Sequence, residues 1–444
     1  MNKIKVDFST RVGKIKPVHS VCCAPYAFSA GAEQKRIYDF FTEGNIPYCR
    51  LHDCCGAYGG MFFVDVPNVF PNFDADENNP ENYDFYYTDE YINAIQRSGC
   101  EAYYRLGITI EWASQKRRTA PPKDFSKWAR ICEHIIMHYN EGWANGYHYD
   151  LKYWEIWNEP ENPKENGYPM WAGTKEEFFD LYKISSKHLK TRFPNIKIGG
   201  YASCGFYAVT RQNIPAFFAD FVTWFIDFLK FVKAENCPLD FFSWHIYGDS
   251  VEELIAHAKF ARETLDQYGF TDTENHLNEW NYGVEGGGFA EKHTLVGASF
   301  NGAVLSQLQN TNYVDMAHYY CFSGAARYNG FLDQNDGHTC PSWYPFVAFG
   351  KMYALGSAAQ VNTEGSVYAT AAVSENESAL LLSSYSDNTQ KVELDLQGVV
   401  GKTAHVLHID EQGNLEERES FTVYDKAEIT LTLPAHSLIY IEIR

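Results

Sequence analysis

The chain has 444 residues and a formal net charge of −20, from 37 basic and 57 acidic side chains. A surface this acidic repels phosphate backbones and anionic bilayers, so neither nucleic acid nor a membrane is an expected partner, and no run of about 18 apolar residues is present to span a bilayer. Aromatic residues make up 16% of the chain, enough to fill a large core and also to line a cleft for a flat, hydroxyl-rich ligand.

The eleven cysteines are odd in number and irregularly spaced, and several sit inside apolar runs. That pattern predicts buried free thiols in a reducing compartment rather than a disulfide framework. The pairs Cys22-Cys23 and Cys54-Cys55 lack the C-x-x-C spacing of a zinc site, so no metal is expected, and no cofactor. The N-terminal MNKIKVDFST has no apolar stretch after its lysines; the expectation is a chain without a secretory signal, located in the cytoplasm.

In chain order, KIKVDF alternates polar and apolar residues. Eight short apolar runs follow: HSVCC (19–23), YCRLH (48–52), AYYRLGI (102–108), YWEIW (153–157), IKIGGYA (196–202), FFSWHIY (241–247), HLNEW (276–280) and MAHYYCF (316–322). Between them, Ser126–Asn140, Lys175–Lys190, Ile214–Lys233 and Val251–Tyr268 carry apolar residues at helical spacing. Eight strands alternating with helices predict a parallel (β/α)8 TIM barrel. After residue 355 the pattern changes to alternating runs without helices: 378–386, 391–398, 403–410, 427–434 and 436–444. These predict an antiparallel β-sandwich. The expected organisation is an α/β catalytic barrel over 16–354, with residues 1–15 and 355–444 forming the sandwich. The absence of a linker predicts firm packing between the two.

A barrel of this kind places its chemistry at the C-terminal ends of its strands. Strand two ends in Arg50, His52 and Asp53; strand three leads to Glu111 and Trp112; strand four ends in Asn158-Glu159. Strand six ends in His245 and Tyr247, strand seven in Glu279-Trp280, and strand eight in Tyr320 and Phe322. Within YWEIWNEPE (153–161), Pro160 lacks an N–H and favours an extended Glu159, ending strand pairing and presenting the carboxyl at the barrel mouth. Asn158 is suited to bind a sugar hydroxyl; Glu155 and Glu161 are weaker candidates, Glu161 being expected in solvent. Glu159 and Glu279 lie on nearly opposite strands. Two carboxyls converging on one cleft, one protonated and one ionised, are what glycoside hydrolysis requires. Arg50 and Tyr247 are placed to keep Glu279 ionised, and apolar neighbours to keep Glu159 protonated. Trp280 and Trp112 are expected at the site, Trp112 with Glu111 at an outer subsite. Trp171, Trp224 and Trp343 read equally as core or as stacking platforms.

Asn-Glu-Pro ending strand four and a Glu ending strand seven resemble the clan A glycoside hydrolases. YCRLH, WEIWNEPE, DFFSWHIY and NEW together resemble glycoside hydrolase family 39, which includes β-xylosidases and α-L-iduronidase. The resemblance implies a retaining double displacement with Glu159 as acid/base and Glu279 as nucleophile. It also implies that Arg50, His52, Asn158, His245 and Tyr247 hold the sugar and orient the nucleophile. Two departures bear on sugar identity: Tyr320 or Phe322 stands where strand eight of the family usually carries Trp with an acidic stretch after it, and Asn278 stands where Thr is usual. The default expectation is an exo-acting β-xylosidase taking xylo-oligosaccharides, the long segment Gly56–Tyr87 walling a pocket. Arabinosidase, galactosidase or glucosidase specificity, or an endo-glycanase, remain open on the same scaffold. A metal-dependent hydrolase would need more strand-end histidines than RLHD offers, and a non-catalytic sugar-binding barrel would have lost one glutamate. Self-association into a homo-oligomer is open.

Overall fold

The computed structural model describes residues 2–23, 39–54, 62–283, 290–322, 328–333, 338–425 and 429–444. Cys55, the first residues of the Gly56–Tyr87 segment and the stretch after Phe322 therefore lie partly outside the described residues.

All eight apolar runs are strands of one closed parallel barrel, in the order β2 (Ser20–Cys22), β3 (Tyr48–Leu51), β4 (Glu101–Leu106), β5 (Tyr153–Ile156), β6 (Lys197–Ser203), β7 (Phe241–Gly248), β8 (Glu274–Tyr282) and β9 (Met316–Tyr319). The helical segments form Phe125–Glu141, Lys175–Arg192, Phe217–Ala234 and Val251–Gln267. Thr174 and Glu177 close a reciprocal capping box at the second of these, which satisfies two N-terminal amides. The barrel interior is layered. Tyr103, Tyr153, Phe241 and Met316 plug its N-terminal end; Arg50, Glu155, Ser243 and Asn278 fill a polar middle, all wholly buried. Tyrosines 104 and 139 and tryptophans 154, 157, 171 and 343 pack between strands and helices. Half-buried Trp224 packs with Phe179 and Tyr201, so Trp171, Trp224 and Trp343 serve the core.

The remaining strands are β1 (Asn2–Lys14), β10 (Ser357–Glu364), β11 (Tyr368–Val373), β12 (Ser378–Ser384), β13 (Gln390–Gln397), β14 (Thr403–Asp410), β15 (Gly413–Thr422), β16 (Ile429–Leu433) and β17 (Ser437–Ile443). They form one curled, mostly antiparallel sheet that encloses Ile4, Val6, Leu380, Leu394, Val406 and Ile441. The N-terminal strand pairs antiparallel with β10 and parallel with β13. Helix Leu295–Asn310 is buried between barrel and sheet. Its Gly302 has no room for a side chain, since a Cβ would come within 2.2 Å of Leu438. Ser383 Oγ donates to Ser299 O at 2.7 Å, and Tyr385 Oη to Asp249 O at 2.8 Å, across this junction. The ten described cysteines are free and buried. No described helix is long and apolar enough to cross a membrane.

Candidate active site

Arg50 organises the centre. Its Nε donates to Glu155 Oε2, its Nη1 to Glu279 Oε1 and its Nη2 to Asn158 Oδ1, each at 2.7 Å. Burial of so many donors is tolerable because each meets an acceptor, two of them anionic. Glu155 also accepts from Ser243 Oγ at 2.6 Å and from Asn278 Nδ2, so it is a structural counter-ion set one layer below the mouth. Asn158 Nδ2, by contrast, is buried without a partner among the described residues, a donor open to a ligand oxygen.

Glu159 is not extended as Pro160 predicts: its φ is 45°. Its N–H donates to Ala202 O on β6 at 3.0 Å, and its C=O accepts from Asn162 N at 3.1 Å. These bonds hold a left-handed conformation that costs on the order of 1–3 kcal/mol and turn the carboxyl inward. Oε1 lies 2.8 Å from His245 Nδ1, and Oε2 is 3.4 Å from Asn162 Nδ2. Burial raises this carboxyl to about 7. Glu161, expected in solvent, is buried: Oε1 accepts from Ser203 Oγ at 2.7 Å and Cys204 N at 2.8 Å. Its other oxygen has no partner among the described residues, and burial raises it to about 8. The turn that points Glu159 inward carries Glu161 against the end of β6.

Glu279 depends on a bulge. Trp244 pairs with Leu277, but His245 pairs with Glu279, so β8 carries one residue more than β7. Asn278 and Glu279 therefore both reach the interior, reaching Glu155 and Arg50 respectively. Strict alternation would have sent Trp280 inward; the extra residue sends it outward instead. Trp280 is wholly buried against Phe300, Tyr319 and Phe346 and does not line the site. Glu279 Oε2 accepts from Tyr247 Oη at 2.6 Å, and Oε1 lies 3.5 Å from His245 Nε2. Burial raises the Glu279 carboxyl, while His245, Arg50 and the Tyr247 hydroxyl pull it back. His52 accepts at Nδ1 from Arg105 Nε at 3.2 Å; its proton is thus on Nε2, 3.3 Å from Asp53 Oδ1 and 3.9 Å from Glu279 Oε1.

At the far end of the site, Tyr320 Oη donates to Asp53 Oδ2 at 2.8 Å, and Tyr247, Tyr320 and Tyr328 pack together. Burial raises Asp53 to about 6. Phe322 does not join them. Its N–H is tied to Cys22 O at 3.0 Å, and its ring is buried on Phe41 and Trp343. In the loop after β4, Glu111 is held by its own turn: Oε2 accepts from Arg117 N at 2.9 Å and Arg118 N at 2.8 Å. Trp112 is 75% exposed and packs with Tyr168.

A model of the glycosyl hydrolases family 39 matches residues 2–324. The chain belongs to this family. It is similar to a beta-xylosidase of Geobacillus stearothermophilus, 22% identical over 295 residues, covering 60% of this chain and 53% of that one. It is also similar to a beta-xylosidase of Caldicellulosiruptor saccharolyticus, 25% identical over 278 residues, covering 58% and 50%. The chain thus spans about half the length of the curated relatives it matches. A solved glucosidase structure from Croceicoccus marinus superposes with a TM-score of 0.80 at 20% identity, covering 100% of this chain and 99% of that one; at that identity the likeness concerns the fold.

Several residues around this candidate site went unread in the sequence. Arg105, Tyr168, Tyr207 and Tyr328 carry no motif, and Tyr207, whose hydroxyl accepts from Tyr247 N at 2.9 Å, lies outside every predicted strand. Asn278 was legible only as a departure. One ligand atom each from Glu159, His245 and Glu279 lies within 4.8 Å of the others, a spacing that a metal ion can use. The Glu279 oxygen nearest His245 already meets a cation, the Arg50 guanidinium.

Proposed function

We propose that this chain is a retaining exo-glycosidase acting on β-xylosides. The observation that supports retention is the closeness of the two acids: one oxygen of Glu159 and one of Glu279 approach within 4.8 Å, an approach that suits the shorter of the two spacings glycosidases use. Retaining enzymes need the carboxyls about 5–5.5 Å apart, and inverting ones leave about 6.5–9.5 Å for a water. In the first step Glu279 attacks the anomeric carbon while Glu159 gives its proton to the glycosidic oxygen, breaking that C–O bond. In the second, ionised Glu159 takes a proton from water, the hydroxide oxygen bonds to the anomeric carbon, and Glu279 leaves. The environments suit these roles. Glu279 meets Arg50 and the Tyr247 hydroxyl, whereas Glu159 meets no Lys or Arg directly among the described residues and is raised to about 7 by burial. The free Asn158 Nδ2 is placed to donate to a sugar hydroxyl.

Exo action is supported by the Tyr320–Asp53 bond, which links the ends of β9 and β3 across one side of the mouth and suits a terminal sugar. The xyloside preference follows the curated relatives. The test is hydrolysis of a panel of aryl glycosides, with anomer-resolved NMR of the first product. Turnover of the aryl β-xyloside with retention is expected; first release of the α-anomer would overturn the mechanism, and retained turnover of another sugar only would move the specificity.

A further inference from the structure

Glu159 divides the site in two. Oε1 faces His245 and, beyond it, Glu279. Oε2 faces Asn162, whose Nδ2 also donates to Tyr168 O at 3.2 Å. The Tyr168 ring lies 5.6 Å from that of Trp112, and its hydroxyl accepts from Asn166 Nδ2 at 3.3 Å. Among the described residues Trp112 is the most exposed large hydrophobic side chain.

Its backbone is nonetheless fixed. Thr109 N donates to Asp65 Oδ2 at 2.8 Å, and Ile110 N to Asp53 Oδ1 at 3.1 Å. The Glu111 carboxylate closes the turn over Arg117 and Arg118, and Ala172 N donates to Thr119 O at 2.8 Å, tying this loop to the one that carries Tyr168. An indole open to water on a loop braced on both sides of it, beside a second ring, is positioned to receive a flat face, and the bracing lowers the cost of ordering the loop on binding.

We propose that Trp112 and Tyr168 form the platform for the leaving group, so that the substrate is a glycoside whose aglycone is itself a flat ring, a second sugar or an aryl group. This rests on Glu159 being the proton donor: the leaving oxygen must lie at Glu159, so the aglycone extends from its outer face, where these rings stand. Edge and face contacts to an aromatic ring contribute enough for about a tenfold effect.

The experiment compares xylobiose, 4-nitrophenyl β-xyloside and methyl β-xyloside, whose methyl group has no ring to stack. For Trp112→Ala, the ratio of kcat/KM for xylobiose to that for methyl β-xyloside is expected to fall about tenfold, with Trp112→Phe recovering most of it. A fall for xylobiose alone assigns a sugar ring; a parallel fall for the nitrophenyl substrate assigns any flat ring. Calorimetric binding of xylobiose to Glu279→Gln, with and without Trp112→Ala, gives a second readout. If the wild type hydrolyses no xyloside, the catalytic reading fails, and the binding comparison alone decides the platform. Unchanged ratios together with unchanged xylobiose affinity would overturn it.

Discussion

His245 Nδ1 lies 2.8 Å from Glu159 Oε1, and its Nε2 lies 3.5 Å from Glu279 Oε1, so one imidazole stands between the two acids. Burial depresses this histidine to about 4, leaving one proton for two nitrogens at neutral pH. When Glu159 is protonated, that proton sits on Nε2, on the side of Glu279. Nδ1 then accepts, and the proton in the short bond is supplied by Glu159. On substrates whose leaving group needs protonation, kcat/KM should therefore fall as pH rises through about 7, where Glu159 loses its proton. Glu159→Ala should abolish that alkaline limb, lose about 10²–10⁴-fold on such substrates and spare dinitrophenyl glycosides. A pH–rate profile checks this; full activity of the variant on xylobiose would sink the assignment.

Removal of the other acid tests covalent catalysis. Glu279→Gly should be inactive on glycosides and regain turnover with azide, which fits the space left by the carboxylate and attacks from the same side. The product should be the glycosyl azide of inverted configuration, read by NMR. An azide product of retained configuration would place the nucleophile elsewhere.

Arg50→Lys keeps one charge but can reach only one of the three acceptors that the guanidinium serves. It would leave Glu155 or Glu279 buried without its counter-charge. Breaking such a pair costs about 3–5 kcal/mol. Thermal unfolding should show a lower Tm, and kcat should drop more than KM rises, since the nucleophile loses its orientation. A Tm equal to that of the wild type would count against the central role given to Arg50.

Glu161 gives a stability prediction with a definite sign. Its carboxyl is raised to about 8 from an ordinary 4.5, so the folded state holds a proton that the unfolded chain releases. Between pH 4.5 and 8 the unfolded state thus gains stability as pH rises, and the cost is complete above the folded value. Glu161→Gln removes the ionisation. Its Tm should match the wild type near pH 4 and exceed it near pH 9, by several degrees. Calorimetric scans at the two pH values check this; equal Tm at both would show that Glu161 does not pay a burial cost.

The alternation of strands and helices, the eight barrel strands and the Asn158-Glu159-Pro160 strand end were legible in the sequence because they rest on local periodicity and chain stiffness. Strands β10, β11 and β15 were not. The last presents mostly exposed charged residues at the sheet edge, so it carries no burial pattern to read. What only the tertiary structure decided is which neighbour faces inward. One extra residue in β8 set Asn278 and Glu279 inside and Trp280 outside. A backbone bond to Cys22 turned Phe322 into the core. Bonds from Ser203 at the end of β6 and from Cys204 just after it buried Glu161. Side-chain direction along a strand follows a period of two only while pairing stays in register, and a bulge or a cross-strand bond that shifts that register is set by the partner strand, which no local stretch of sequence contains.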